Sequence, residues 1–460
     1  MEAIKKHRHH LIALAIFFLA FFLRVYRLPE FIAYHQDQVR DLIYIKDHFD
    51  KGEMILLGPK ASVGNFFLAP FWYYLMSATY LFSHSPVAPA SMVALLNAIA
   101  APLIYFFCRK FFNEKIAVIS SLLYAVSPFS IEYSRFAWNP NPIPFFTIIS
   151  LYFLYLYLDN RNKIQKNFIY FAVIFANLTF QLHYQGFLLV IAVFLFPLFK
   201  KDWKRLIISS LIFMLMLSPF FFYEIKNNYP NLKEIFSFLG RTTSGHSFGI
   251  MNSFKAFVKD YPEFIARNLF FGFLPLGLIF SIVTYFICLK NIFCRCSKKD
   301  PNKKNLFIIY SVLLLTLFAY RQWIVPYYLL VLIIPLVVMI AILFEKVFFL
   351  MIPLIIINLI MSPAFAKTDS SLYFFKKVVK TVRQYNLPEN CIAYQIENSD
   401  LKFAPKAVSY LLDSNDEDGI KNGDCQKKLM ICEIKKCDRI AVSVIAESEK
   451  LNLKLIELKK

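Results

Sequence analysis

A chain of 460 residues with 58% apolar side chains and only 18% Asp, Glu, Lys and Arg is too poor in charge to clothe a soluble globule, for which about a quarter is typical. With 52 Phe and 26 Tyr against 11 Gly, collagen-like and low-complexity classes are excluded as well. A mean hydropathy of +0.51 therefore reads as an all-α polytopic membrane protein, and the formal charge of +20 needs no nucleic-acid partner, because cytoplasmic loops concentrate cations.

Crossing the hydrocarbon core takes about 20 apolar residues, and about eleven runs in this chain come near that length. The first, near Leu11 to Val25, follows Lys5, Lys6 and Arg8 as a signal peptide would. It leaves through Arg24-Val25-Tyr26-Arg27 with no small-residue cleavage site, so a retained anchor is expected. Next comes the stretch His35 to Phe49. At about 100° per residue, Val39, Leu42, Ile43, Ile45 and Phe49 share one arc, and Asp37, Asp41, Tyr44 and His48 share the opposite one. This spacing predicts an amphipathic helix lying on a surface.

The stretch Phe66 to Ser83 is apolar and just long enough to span. Parity argues against that. The basic clusters Arg109, Lys110 and Lys115; Arg161, Lys163 and Lys166; Lys200, Lys201, Lys204 and Arg205; and Lys290 to Lys304 recur in every second connection. Were Phe66 to Ser83 to cross with the N-terminus inside, all of them would face outward, against the positive-inside rule. The stretch is expected to lie in the interface, with Pro70 and Trp72, Tyr73, Tyr74 and Tyr80 at headgroup level. An outside N-terminus with about twelve spans is the competing solution. The other runs lie near Ala88 to Cys108, Ile116 to Ile131, Ile143 to Leu158, Phe168 to His183, Phe187 to Phe199, Leu206 to Tyr223, Leu269 to Leu289, Leu306 to Tyr320, Tyr327 to Phe344 and Val347 to Ile360.

Two parts follow: membrane-embedded residues 1–366 and a small extracytoplasmic α/β domain over 367–460. In the tail a helical pattern at Leu372 to Tyr385 precedes strand-like Cys391 to Ile396, Lys428 to Ile434 and Ile440 to Ile445. Cys391, Cys425, Cys432 and Cys437 would form two disulfides in an oxidising compartment or remain reduced thiols. Cys294 and Cys296 fall in a cytoplasmic loop.

Non-basic polar residues gather on the outer side, so chemistry is expected there. No Walker loop, no GxGxxG opening a helix and no HExxH is present, and the stretch Gly240 to His246 lacks the ending of a phosphate loop. Asp41 and His48 are expected on a solvated surface. Asp37, opening its helix where the dipole favours a carboxylate, suits a proton acceptor or a simple cap. In Glu132-Tyr133-Ser134-Arg135-Phe136-Ala137-Trp138-Asn139-Pro140-Asn141-Pro142, Glu132 and Arg135 are placed to pair at i,i+3. His183, within Gln181-Leu182-His183-Tyr184-Gln185, suits a ligand, a shuttle or a polar belt. Arg321 and Tyr328 flank the next outer turn, Arg321 binding phosphate or snorkelling.

Asp37-Gln38-Val39-Arg40-Asp41, Gly58-Pro59-Lys60-Ala61-Ser62-Val63-Gly64 with Tyr73-Tyr74, and Glu132-Tyr133-Ser134-Arg135 with Trp138-Asn139-Pro140-Asn141 together resemble the GT-C superfamily of polyprenyl-phosphate-sugar-dependent glycosyltransferases, of the protein O-mannosyltransferase and aminoarabinose-transferase type. The resemblance covers most of the chain. One departure is Gln38, where many members carry a second acid. The resemblance implies a multi-pass cell-membrane enzyme with GT-C spans, interfacial helices in the first outer loop and an extracytoplasmic active site. Its donor would be a polyprenyl-phosphate-linked sugar and its acceptor a protein, lipid or glycan hydroxyl. Asp37 would be the catalytic base of an inverting displacement. Arg40, Asp41, Glu132, Tyr133, Arg135, Asn139, Asn141, His183, Arg321 and Tyr328 would bind substrate, with Arg135, Arg40 or Arg321 on the phosphate. A divalent metal is left open, with Asp37 and His183 as the ligands it would take. The alternative is a lipid-linked-glycan flippase or transporter, or a polymer ligase.

Overall fold

The apolar runs become helices whose ends are set by proline, asparagine and serine. In the computed structural model, residues 2–61, 64–159, 164–241, 254–293, 300–319, 325–366, 371–384, 392–395, 402–413, 427–433, 444–447 and 451–457 are described. Helix α1 (Glu2–Val25) is followed by the one-turn α2 (Leu28–Phe31), then α3 (Gln36–Lys51), α4 (Phe71–Tyr80) and the long α5 (Val87–Phe111). The expected span Ile116 to Ile131 divides into α6 (Glu114–Val126) and α7 (Pro128–Tyr133). Asn113 caps α6, its side chain accepting from Ile116 N at 3.0 Å, and Ser127 caps α7, accepting from Ser130 N at 3.2 Å. Pro128, with no N–H to satisfy, fits the first position of the new helix.

Then come α8 (Ile143–Asp159), α9 (Phe168–Leu182), α10 (Phe187–Phe199), α11 (Trp203–Met216), α12 (Ser218–Lys226) and α13 (Pro230–Arg241). After them lie α14 (Tyr261–Leu269), α15 (Leu274–Phe293), α16 (Pro301–Leu314), α17 (Ile333–Leu343) and α18 (Met351–Ile360). Among the described residues, four helical stretches are long and apolar enough to cross a membrane, or up to six if each bent pair is one span. The pairs bend by 59° between α11 and α12, and by 110° between Ala256–Leu269 and Leu274–Lys290. The expectation of about eleven spans is met only in part, since an apolar run along the sequence is not one straight helix where it bends or where proline restarts it. Leu11, Leu14, Phe18 and Phe22 of α1 and Ile279, Ile282 and Phe286 of α15 stay exposed, as apolar side chains facing hydrocarbon do.

Helix α4 has 10 residues, about 15 Å of rise against a core about 30 Å thick, so Phe66 to Ser83 is no span. Its aromatic side chains correct another expectation. Trp72, Tyr73 and Tyr80 are buried under α3 and only Tyr74 of the four is exposed, so the cluster packs mainly against protein instead of presenting its rings outward.

Past residue 366, α19 (Ser371–Gln384) and α20 (Ala404–Asp413) accompany strands β1 (Ile392–Gln395), β2 (Lys427–Glu433), β3 (Val444–Glu447) and β4 (Leu451–Glu457). The strand order is β1-β2-β4-β3, with β1 parallel to β2 and the other pairs antiparallel. The expected Ile440 to Ile445 strand coincides with β3 at residues 444 and 445, residues 440–443 lying outside the described residues, and α20 and β4 were not anticipated. Leu372, Phe375, Val378 and Val382 bury one face of α19 together with Ala404, Ala407 and Leu411 of α20. This layer touches the rest of the chain where Phe375 meets Tyr34, ring centroids 6.0 Å apart, and where Tyr410 Oη donates to His84 O at 2.9 Å. Cys391, Cys425, Cys437, Cys294 and Cys296 lie outside the described residues, as does the side chain of Cys432.

Candidate active site

Helix α1 ends, the chain turns through Arg27 in the left-handed region at φ 53°, and α3 opens just beyond His35. Gln38 fixes that opening, its Oε1 accepting from His35 N at 3.1 Å as the far half of a capping box. The residue that departs from the family pattern is thus occupied by the backbone.

Asp37 stands in the first turn of α3 with 38% of its side chain exposed. Arg40 Nη1 donates to Oδ1 at 2.8 Å, and Trp138 Nε1, from a distant part of the chain, donates to Oδ2 at 3.1 Å. The carboxylate is oriented from two sides and keeps an open edge. One turn on, Asp41 is 1% exposed. Arg40 Nε and Nη2 donate to its Oδ1 at 2.9 and 2.7 Å, Tyr73 Oη to the same oxygen at 3.0 Å, and Trp72 Nε1 to Oδ2 at 2.8 Å. The solvated surface expected for Asp41 is therefore wrong: α4 covers this face of α3 and supplies the donors a buried acid requires. Burial pushes the Asp41 carboxyl up, against the pull of Arg40 and the Trp72 bond. Burial pulls Arg40 down, but Asp41 and Asp37 outweigh it and hold the guanidinium above its ordinary value. Nor is His48 solvated: it is half-buried, its ring 4.0 Å from Tyr44, which in turn stacks on Tyr73 at 4.4 Å.

Trp138 continues the wall beyond Asp37. Its ring centroid lies 4.4 Å from Tyr327, which meets Tyr328 at 4.6 Å, and His183 packs on Tyr328 at 5.2 Å and on Tyr327 at 5.7 Å. His183 Nδ1 accepts from Gln185 N at 3.4 Å, and burial pushes the imidazole down to about 4, so it is neutral near pH 7. The turn carrying it closes at Gly186, where a Cβ would come within 2.5 Å of Phe180 N. Tyr184 Oη donates to Phe67 O at 2.8 Å, tying this turn to a hairpin in which Gly58 N donates to Leu68 O at 2.8 Å. A Cβ on Gly58 would meet Ala69 O at 2.2 Å, so the hairpin closes only around glycine. Of the family stretch Gly58 to Gly64, residues 62 and 63 lie outside the described residues.

The other described site residues are bonded or packed within the scaffold. Glu132 does not pair with Arg135: it meets Arg267 Nη2 at 3.2 Å, because Arg135 turns toward the end of α1. There Arg135 Nη1 donates to Leu23 O at 3.0 Å and Nη2 to Tyr26 O at 2.6 Å, with its Cζ 4.0 Å above the Phe31 ring. It satisfies the carbonyls a helix end leaves open. Burial, then Arg27 and Arg24, push it down to about 10. Asn139 Nδ2 donates to Leu182 O at 2.6 Å, and Asn141 Nδ2 to Phe136 O at 3.0 Å. Tyr133 packs on Phe129 at 4.3 Å. Arg321 lies outside the described residues. The structure thus brings together Asp37, Arg40, Trp138, Tyr327, Tyr328 and His183. Trp138 was legible only as part of a family stretch, and Tyr327 only as the neighbour of Tyr328.

A metal fits poorly here. Among the described residues no three His, Cys, Asp or Glu side chains converge, and Arg40 already bridges the two carboxylates.

A family model described as dolichyl-phosphate-mannose-protein mannosyltransferase matches residues 68–223. No curated protein matches the chain significantly. Among solved structures, the Archaeoglobus fulgidus oligosaccharyltransferase in complex with Zn and sulfate is 14% identical with a TM-score of 0.55, the alignment covering 87% of this chain and 61% of that one. The present chain thus spans 61% of that relative's length. The same enzyme tethered to an acceptor peptide containing the NVT sequon gives 13% identity, a TM-score of 0.51 and coverage of 89% and 64%. ArnT from Cupriavidus metallidurans bound to undecaprenyl phosphate is 13% identical over 97% of both chains, with a TM-score of 0.45. At such identities the likeness to the oligosaccharyltransferase is one of fold. The family match, confined to residues 68–223, agrees over that stretch with the resemblance read from the sequence, and the helices long and apolar enough to span make the chain a membrane protein.

Proposed function

We propose that the protein moves a sugar from a polyprenyl-phosphate donor to an acceptor hydroxyl at the extracytoplasmic boundary of the membrane, with inversion, Asp37 acting as base. The observation that carries this reading is the state of Asp37: held by N–H donors from two separate parts of the chain, yet with an open edge beside an aromatic wall. The match to a dolichyl-phosphate-mannose transferase model supports the lipid-phosphate sugar as donor class. Residues 367–460 would form the extracytoplasmic cover of the site.

In the step, the acceptor O–H gives its proton to the open oxygen edge of Asp37 as its oxygen bonds the anomeric carbon. The bond from that carbon to the phosphate oxygen breaks on the opposite face, leaving polyprenyl phosphate with one more negative charge. The cation nearest that charge is Arg40, which is bonded to Asp37 itself, whereas Nη1 and Nη2 of Arg135 donate to carbonyls at the end of α1. Half-buried Trp138, backed by the buried Tyr327 and Tyr328, offers a ring for a pyranose to rest on, and neutral His183 offers a hydrogen-bonding nitrogen without charge. The anchored donor needs only lateral diffusion to reach the base.

The test is sugar transfer from a synthetic polyprenyl-phosphate sugar by the full chain in nanodiscs. Asp37→Asn should lower kcat by about 10²- to 10⁴-fold while the thermal midpoint holds. Undiminished turnover would remove Asp37 as the base.

A further inference from the structure

Away from Asp37, a cavity of about 330 Å³ opens between α19 and the start of α5, lined by Ser85, Pro86, Lys376, Val379, Lys380, Arg383 and Leu411. Lys376, Lys380 and Arg383 follow one another at i, i+4 and i+7, so they share one face of α19. The like charges of Lys376 and Lys380 repel at that spacing, and among the described residues no carboxylate lines the cavity. Among the described residues neither Lys376 nor Lys380 forms an ion pair, whereas Lys377, on the neighbouring face, is placed over the Tyr373 ring at 4.8 Å. The opposite rim adds to the positive field. It is the N-terminal end of α5, a helix of 25 residues whose dipole points its positive pole at the cavity.

The place of the cavity limits what anion can fill it. α5 is one of the helices long and apolar enough to span, so its first turn marks a membrane boundary. On the connection leading into it, Leu81 and Phe82 are 70% and 91% exposed, as residues dipping into lipid are. At about 30 Å³ per water the cavity has room for about ten waters, ample for a phosphodiester, and Val379 and Leu411 give it an apolar side.

We propose that this cavity binds the phosphate of an anionic membrane lipid headgroup, held by Lys376 and Lys380, and so fastens α19 to the membrane face. The inference rests on the membrane fold and not on the role of Asp37. It is tested with the full chain in nanodiscs of phosphatidylcholine alone or mixed with phosphatidylglycerol, by amide hydrogen exchange over residues 371–384. Phosphatidylglycerol should slow exchange there by about threefold or more, as a ligand bound only to the closed form does. The doubly substituted Lys376→Gln, Lys380→Gln protein should lose that gain, and Lys377→Gln should keep it. All three side chains are on the helix surface, so the variants fold. Equal exchange in the two lipid mixtures would overturn the proposal, and so would a gain that survives the double substitution. Protection by inorganic phosphate in phosphatidylcholine discs, matching that of the anionic lipid, would overturn the lipid source.

Discussion

The first turn of α3 and the stretch Glu132 to Asn141 are joined by the Trp138–Asp37 bond, yet they use their polar atoms in different ways. Arg135, Asn139 and Asn141 donate to backbone carbonyls, two of them at the ends of α1 and α9. Asp37 is met by side chains alone and keeps an open edge. A side chain that completes a helix terminus fixes the scaffold, and moving it would leave buried carbonyls unpaired. One held by other side chains at a half-exposed edge can exchange a proton without unfolding anything. Asp41 belongs with the scaffold although it shares a helix face with Asp37.

That division is open to attack, most severely at Asp41. Asp41→Leu leaves buried Trp72 and Tyr73 with unmet donors and takes one of two carboxylates from half-buried Arg40, and should cost about 3–5 kcal/mol. Thermal unfolding of purified protein in detergent should show a large fall in midpoint. A stable Asp41→Leu protein lacking only turnover would instead put Asp41 in the reaction and merge the two regions. Next in size is Arg135→Ala. The loss of two charge-assisted bonds to α1 carbonyls should lower stability by about 2–4 kcal/mol, with kcat per folded molecule kept. Arg40→Ala is the counterpart whose kcat falls.

These contrasts also show what could be read from the chain alone. Charge and apolar runs were enough to find the long apolar helices, though not their breaks or α20, and Asp37 stood out because it opens an amphipathic helix just after the first span. The fate of Asp41 was hidden, because a helical wheel assigns a polar arc to water unless another element brings donors to it. Those donors, Trp72 and Tyr73, belong to a helix whose apolar character pointed to the headgroups. The partner of Glu132 is Arg267, a separation at which local spacing carries no information. The break at Ser127-Pro128 was legible in principle, since proline at a first helical position announces a new helix.

A smaller effect sharpens the link between the regions. Trp138→Phe keeps an aromatic ring packed against Tyr327 and removes the indole N–H donated to Asp37. One hydrogen bond to a charged group is worth about 1.5–3 kcal/mol, and a partial loss in the transition state should lower kcat about tenfold with KM little changed. An unchanged kcat would mean that Arg40 alone orients the base.

The smallest effect concerns pH. His183 is pushed down to about 4 by burial, below the ordinary histidine value of about 6.5. Between those values the unfolded chain binds a proton that the folded chain does not. Stability from this residue is therefore complete above about pH 6.5, declines as the pH falls toward 4, and then levels off. His183→Asn should flatten that decline in the thermal midpoint. The wild-type rate profile should show no inflection near pH 6.5 from this residue, because a neutral imidazole on the Tyr327–Tyr328 wall has no proton to lose there. An inflection near pH 6.5 that His183→Asn abolishes would instead make His183 a charged participant, and the aromatic wall beside Asp37 would then be part of the proton chemistry.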